Sequence, residues 1–205
     1  MHISEGILSA PVLASGAALG LAATAVGLKK INTEQMVHTA LLASAFFVAS
    51  LIHVNIGPVS VHLILNGLIG LILGMAAVPA ILTALILQAV LFQYGGLTAL
   101  GVNLLIMAGP AVLVHYAFSG FLGRSRRWNF IAGFGAGALS IFCSSLLMAG
   151  ALWFTDEGFF ATATAIVGAH VPVMLIEGVI TGFCVSLLIR VYTEILPQAL
   201  CREGV

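Results

Sequence analysis

The stretch ILSAPVLASGAALGLAATAVGLKK, residues 7–30, decides the fold class. Residues 7–28 hold no charged side chain. As a helix rising about 1.5 Å per residue they span roughly 30 Å, the hydrocarbon thickness of a bilayer. A membrane β-strand needs only about ten residues of alternating polarity, and this run does not alternate. A secretory signal would open on Lys or Arg, whereas Glu5 is the only charge before Lys29. The sequence therefore predicts a retained transmembrane helix, with Met1 and His2 part of the mature chain.

The rest of the chain has the same character. Of 205 residues, 61% are apolar and 7% charged, and the mean hydropathy is +1.18. A soluble domain carries about 25% charge. Seven basic residues balance seven acidic ones, which removes any electrostatic case for binding nucleic acid. Cys143, Cys184 and Cys201 are too few and too widely spaced to spell a disulfide framework or a zinc site. Charged and turn residues divide the chain into apolar segments at about 7–28, 36–54, 62–78, 79–94, 101–123, 128–154 and 163–192. These predict one all-α integral membrane domain over residues 1–205, a bundle of seven transmembrane helices. One short or irregular helix pair is expected near residues 62–94, divided only at Ala77-Val78-Pro79.

Basic loops give the direction. Lys29 and Lys30, then Arg124, Arg126 and Arg127, then Arg190 and Arg202 all fall on one face of a seven-span chain. The positive-inside rule makes that face cytoplasmic. The N-terminus is then outside and the C-terminus inside. Ala14, Ala18 and Ala22 recur at helical spacing beside Gly16 and Gly20, and Gly133, Gly135 and Gly137 do something similar. Small residues of this kind serve close helix packing or a docking face for a partner; the sequence allows both.

Ionisable groups inside a membrane are costly and are functional candidates by default. The predicted topology gathers His2, His53, His62 and His170 at the outer end of four helices, together with Gln93, Gly95-Gly96 and Asn103. His38 and His115 lie deeper, toward the cytoplasmic side. One such histidine is ordinarily an interfacial hydrogen bonder. Four with few carboxylates nearby suggest a transition-metal site, for which imidazole is a preferred ligand. Glu177, about two turns below His170, is either a partner that orients a ligand or a desolvated acid. Met1-His2 offers more. The α-amine, the His2 amide and the His2 imidazole can close a five-membered and a six-membered ring on one ion. Such a planar set suits nickel(II) or copper(II) and leaves one in-plane position for another imidazole.

Met1-His2-Ile3-Ser4-Glu5-Gly6-Ile7-Leu8-Ser9 resembles the MHIxEGxLS opening of the CbiM/NikM-type proteins, the substrate-capture (S) components of energy-coupling factor (ECF) importers for cobalt and nickel. Ser60-Val61-His62-Leu63 is similar to their TSGHL segment. Residues 91–103, LFQYGGLTALGVN in this chain from Leu91 after Val90, are similar to their LLFgdGGLTALGaN segment. Met107 matches the Met of NxxNM, and His170 with Glu177-Gly178 matches the H…EG pair of the last helix. The resemblance implies that the N-terminus inserts into the bundle from outside. It implies a Ni2+ or Co2+ substrate held by the Met1 α-amine, the His2 amide and imidazole, and His62. His53 and His170 are substitutes for the fourth ligand, and Asn103, Met107 and Glu177 are supporting residues. It implies no organic cofactor. The implied partners are a transmembrane coupling (T) subunit, two ABC-type ATPases and a small accessory membrane subunit, in the lipid of a prokaryotic inner membrane. Cobalt taken up in this way would feed cobalamin biosynthesis; nickel uptake is the other implied use. The chain itself has no G-x-x-x-x-G-K-[ST] phosphate loop. It also departs from the family pattern: Val59 and Val61 replace Thr and Gly, Ile106 replaces the second Asn of NxxNM, and the loop from Asn55 to His62 is about three residues short.

Two other readings compete. Ala117-Phe118-Ser119-Gly120 approximates the GxSG serine motif of rhomboid proteases, but the topology puts Ser119 on the cytoplasmic side and His170 on the outer one. A nucleophile and its base must meet at hydrogen-bond distance. An S component for an organic vitamin would need more aromatic and polar residues at the outer helix ends than this chain has.

Overall fold

The structure, a computed structural model, describes residues 2–56 and 59–191; for Glu34 and residues 53–62 it describes the backbone alone. Its helices are α1 (Ala10–Leu28), α2 (Thr33–Ala49), α3 (Asn66–Leu73), α4 (Ala77–Phe92), α5 (Leu100–Phe118), α6 (Arg126–Thr155), α7 (Phe160–Ala169) and α8 (Val171–Val191). Between α2 and α3 lies an antiparallel hairpin of β1 (His53–Ile56) and β2 (Val59–His62). Five stretches are long and apolar enough to cross a membrane: Ala10–Leu28, Asn66–Phe92, Leu100–Phe121, Arg126–Thr155 and Glu157–Val191. A shorter apolar helix runs over Gln35–Ala49. Leu21 is 71% exposed and Phe154 80%, which is tolerable in lipid and not in water. This is the integral membrane fold that the composition requires.

Local chemistry sets the helix starts. Pro11 sits in the first turn of α1, where a missing N–H costs nothing. Asn32 caps α2 by accepting the Gln35 amide at 2.8 Å, and Ser125 accepts the Trp128 amide at the start of α6.

Three boundaries differ from the expected segments. The second segment ends at Ala49 rather than 54, because β-branched residues in 54–61 favour an extended hairpin. The third is a helix of eight residues, α3, rather than a span over 62–78. It stops where Gly74, at φ +56°, turns the chain toward α4. The ring of His115 fills the space beside Gly74, 2.9 Å from where a Cβ would stand. The seventh segment, 163–192, is two helices that meet at His170.

Contacts sort the bundle into two ends. Asn66, Gly70 and Gly74 lie against Met107, Ala111 and His115 in turn, so α3 runs parallel to α5 from mid-bundle. Gly27 packs on Met75 and Pro79, which places Lys29 and Lys30 near the α3–α4 turn. Arg126 and Arg190 line one cavity of about 640 Å³ between α6 and α8. At the opposite end the Ser9 amide donates to the Thr155 hydroxyl at 3.3 Å, and Ile3 bonds to Asn103 near the start of α5. The small residues of α6 are packing devices: a Cβ on Gly133 or Gly137 would collide with the α8 backbone at Gly182 or Glu177. On α1, Gly16 and Gly20 pack against α5, whereas Ala14, Ala18 and Ala22 lie on the exposed side.

Candidate functional site

Residues 2–9 precede α1, with Ile3 and Leu8 turned inward and residues 4–7 exposed. Ile3 is 1% exposed and Leu8 belongs to the same apolar core. A buried backbone needs partners, and Asn103 supplies them. The Ile3 N–H donates to Asn103 Oδ1 at 2.9 Å, and Asn103 Nδ2 donates to the Ile3 carbonyl at 3.0 Å. Asn103 is itself buried, one helical turn into α5. Its amide thus pairs with one residue of the N-terminal segment as a neighbouring strand would.

The turn before α5 closes over this segment. Gly95 and Gly96 hold positive φ, +77° and +97°, conformations that glycine adopts without strain. A Cβ on Gly95 would lie 2.7 Å from Asn103 Nδ2, and one on Gly96 would run into the side chain of Glu5. The Thr98 amide donates to Glu5 Oε1 at 3.1 Å. The glycine pair is therefore a seat for residues 2–5. It explains why a GG turn and an N-terminal acidic residue occur in one chain.

His2 lies beneath this turn. Its Nε2 is 2.8 Å from Gln88 Oε1, and its ring is 6.2 Å from that of Tyr94. Burial, followed by the positive charge of the amino terminus, pushes its pKa down to about 3, with the Gln88 bond opposing. The imidazole is therefore neutral at ordinary pH, the form that binds metal. Gln88 is fully buried on α4 and donates through Nε2 to Ser50 Oγ at 2.8 Å. The Ser50 hydroxyl is 2.6 Å from the Phe47 carbonyl.

Glu177, 1% exposed on α8, reaches α3 from the side. Its carboxyl accepts the amides of Ile64 and Leu65, the latter at 3.2 and 3.1 Å to its two oxygens. Leu65 is the residue before α3 and has φ +57°. A helix that starts inside the bundle leaves unpaired N–H groups, and Glu177 takes two amides at that point. It also fixes the chain two and three residues after His62.

The expected site residues are therefore distributed unevenly. Met1 lies outside the described residues, and so do the side chains of His53 and His62, whose Cα atoms face each other across the hairpin. His2 and Asn103 belong to one cluster. Met107 is wholly buried in the core, and its carbonyl accepts from Asn66 Nδ2 at 3.3 Å. The His170 ring bonds through Nδ1 to the Ile166 carbonyl of its own helix turn at 2.7 Å. Ser119 follows α5 at the arginine-bearing end, a helix length from His170 at the head of α8, so the pair cannot do hydrolytic chemistry. Among the described residues no three His, Cys, Asp or Glu side chains form a metal group; a chelate that draws two nitrogens from the main chain at Met1 and His2 needs none.

Sequence reading missed Gln88 and Ser50. It also missed Asn66, which bonds to Ser144 at 3.1 Å and accepts from Ser140 at 3.0 Å. The available signal was polarity inside apolar runs: Gln88 is the one amide in LTALILQAVLF of α4.

Replacing Asn103 with Leu leaves the Ile3 N–H and carbonyl buried without partners, at about 1–3 kcal/mol each. Asn103→Leu should release the N-terminal segment, and faster protease cleavage within residues 2–9 checks the release.

A family model described as CbiM, cobalt uptake substrate-specific transmembrane region, matches residues 2–195. A Haemophilus influenzae protein with a provisional name as a metal transport protein is 41% identical over 201 residues, 97% of this chain and 98% of its own. The fused nickel transport protein NikMN of Rhodobacter capsulatus is 36% identical over 144 residues, which cover 65% of this chain and 42% of that protein. A crystal structure of a truncated transition metal transporter matches with TM-score 0.76 and 26% identity, covering 95% of this chain and 99% of that one.

Proposed function

Because the chain belongs to the CbiM family of cobalt-uptake substrate-specific transmembrane regions, we propose that it captures Ni2+ or Co2+ at the outer face of a prokaryotic plasma membrane. It does so as the substrate-binding subunit of an ATP-driven, ECF-type importer. The observation that carries this reading is the burial of Ile3, with His2 half-buried beside it, against the GG turn, held by Asn103 and Gln88. Such burial gives a chain terminus a fixed place and keeps the His2 ring neutral.

The metal is the substrate. Its ligands are the Met1 α-amine, the His2 amide nitrogen, the His2 imidazole and the His62 imidazole. In this reading His62 comes from the hairpin between α2 and α3, and Glu177 holds Ile64 and Leu65 just after it. Fused chelate rings favour a planar ion, and the Irving–Williams order puts nickel above cobalt at a nitrogen site. Seven passes, counting α3 as a half-span, put the N-terminus outside, and the lysines and arginines then face the cytoplasm. The exposed Ala14, Ala18 and Ala22 side of α1 is open to a partner helix. The coupling subunit and two ATPases supply the energy, and cobalt entry feeds cobalamin synthesis.

The test is metal analysis and calorimetric titration of the purified protein and of His62→Ala. Losing one of four ligands should lower affinity by roughly 100-fold or more, beyond what an outer-shell partner is worth. Unchanged affinity moves the fourth ligand to His53 or His170. Absence of nickel and cobalt binding in the wild type refutes the function.

A further inference from the structure

The hydrogen bonds around Gln88 have a direction. A main-chain carbonyl only accepts, so the Ser50 hydroxyl proton goes to Phe47 O, at 2.6 Å. With its proton committed, Ser50 Oγ must accept from Gln88, which orients the amide with Nε2 toward Ser50, at 2.8 Å, and Oε1 toward His2. Oε1 also only accepts. The His2 nitrogen that faces it, Nε2 at 2.8 Å, therefore carries the ring proton, and Nδ1 is the unprotonated nitrogen.

This assignment matters because the two ring nitrogens are not equivalent for chelation. A metal on the His2 amide nitrogen closes a six-membered ring through Cα, Cβ, Cγ and Nδ1. Closure through Nε2 is sterically impossible for the same residue. We propose that Gln88, oriented by Ser50, is a positioning residue for metal capture. It holds the His2 imidazole in the tautomer whose Nδ1 can enter the chelate, and it fixes the plane of the ring. The inference rests on the proposed N-terminal chelate. Gln88 touches no metal; it acts through the ring proton, as outer-shell partners of ligating histidines do. Its place on α4, 86 residues along the chain from His2, makes the ring's orientation a property of the folded bundle rather than of a free terminus.

The experiment uses the full chain in detergent micelles with histidine labelled in its ring nitrogens. In metal-free wild type, the nitrogen spectrum of His2 should show Nδ1 unprotonated and Nε2 protonated. Gln88→Leu should give a mixture of tautomers and nickel affinity lower by roughly 10–100-fold. Gln88→Glu keeps an acceptor facing His2 Nε2 although it loses the donation to Ser50, and should recover part of the single tautomer and of the affinity relative to Gln88→Leu, which a purely structural role would not predict. A proton on Nδ1 in wild type, or wild-type nickel affinity in Gln88→Leu, overturns the role of Gln88 alone. A chain extended ahead of Met1 separates the underlying reading: if it binds nickel as wild type does, the chelate is wrong and the role of Gln88 in capture falls with it.

Discussion

A chain carrying two extra residues ahead of Met1 should lose high-affinity nickel and cobalt binding, by 100-fold or more on the scale set by outer-shell losses, while its fold and thermal stability stay those of the wild type. The extension leaves every side chain in place. It converts the Met1 amine, a basic nitrogen able to bind metal as it stands, to an amide nitrogen that must first lose its proton to do so. It also adds bulk where residues 2–5 lie under Gly95 and Gly96. The two effects can be told apart. Acetylating the amine adds little volume and should by itself abolish most of the binding. An acetylated chain that binds nickel at full strength would show that the amine is not a ligand. Calorimetric titration, with circular dichroism to check the fold, decides between them.

The second large effect is expected at Glu177. Glu177→Leu keeps the volume and removes the acceptor for the Ile64 and Leu65 amides. Two buried N–H groups then go unpaired, at about 1–3 kcal/mol each and more where the lost partner is charged. A negative or acceptor group at a helix start is also favoured by the helix dipole. The loss falls on α3, whose eight residues cannot sustain a helix alone, and on the chain just after His62. The expected result is a clear drop in midpoint temperature in micelles together with weaker metal binding. Glu177→Gln, which retains one acceptor oxygen, should be milder on both counts. Wild-type stability in Glu177→Leu would mean that the amides find other partners and that α3 does not depend on this cap.

These two sites show how much of the molecule can be read from its sequence. The run 7–28 is legible because a lipid-spanning helix is a matter of length and missing charge, both of which are local. The side of the molecule that bears the lysines and arginines is legible for the same reason. Asn103 and Gly95-Gly96 are legible as polar and flexible positions beside an apolar helix, although their work on Ile3 and Glu5 is not. The start of α3 is different. Its cap is supplied by Glu177, 112 positions further along the chain, so no Ser, Asp or Asn precedes the helix and the sequence reads straight through from 62 to 78. Gly74 ends α3 in a run with no polar residue, where hydropathy does not change. Gln88 escaped because apolar residues surround it on every side of α4, and no periodic pattern says which face is inward. What sequence reading loses, in each case, is a partner distant in the chain.

The proposed site holds the metal ion in a plane of four nitrogens, three of them from residues 1 and 2. X-ray absorption and magnetic measurement on the nickel-loaded protein decide whether it does. Such a site gives a diamagnetic, four-coordinate nickel(II) with nitrogen neighbours only. A paramagnetic, six-coordinate ion with oxygen neighbours would refute the planar chelate.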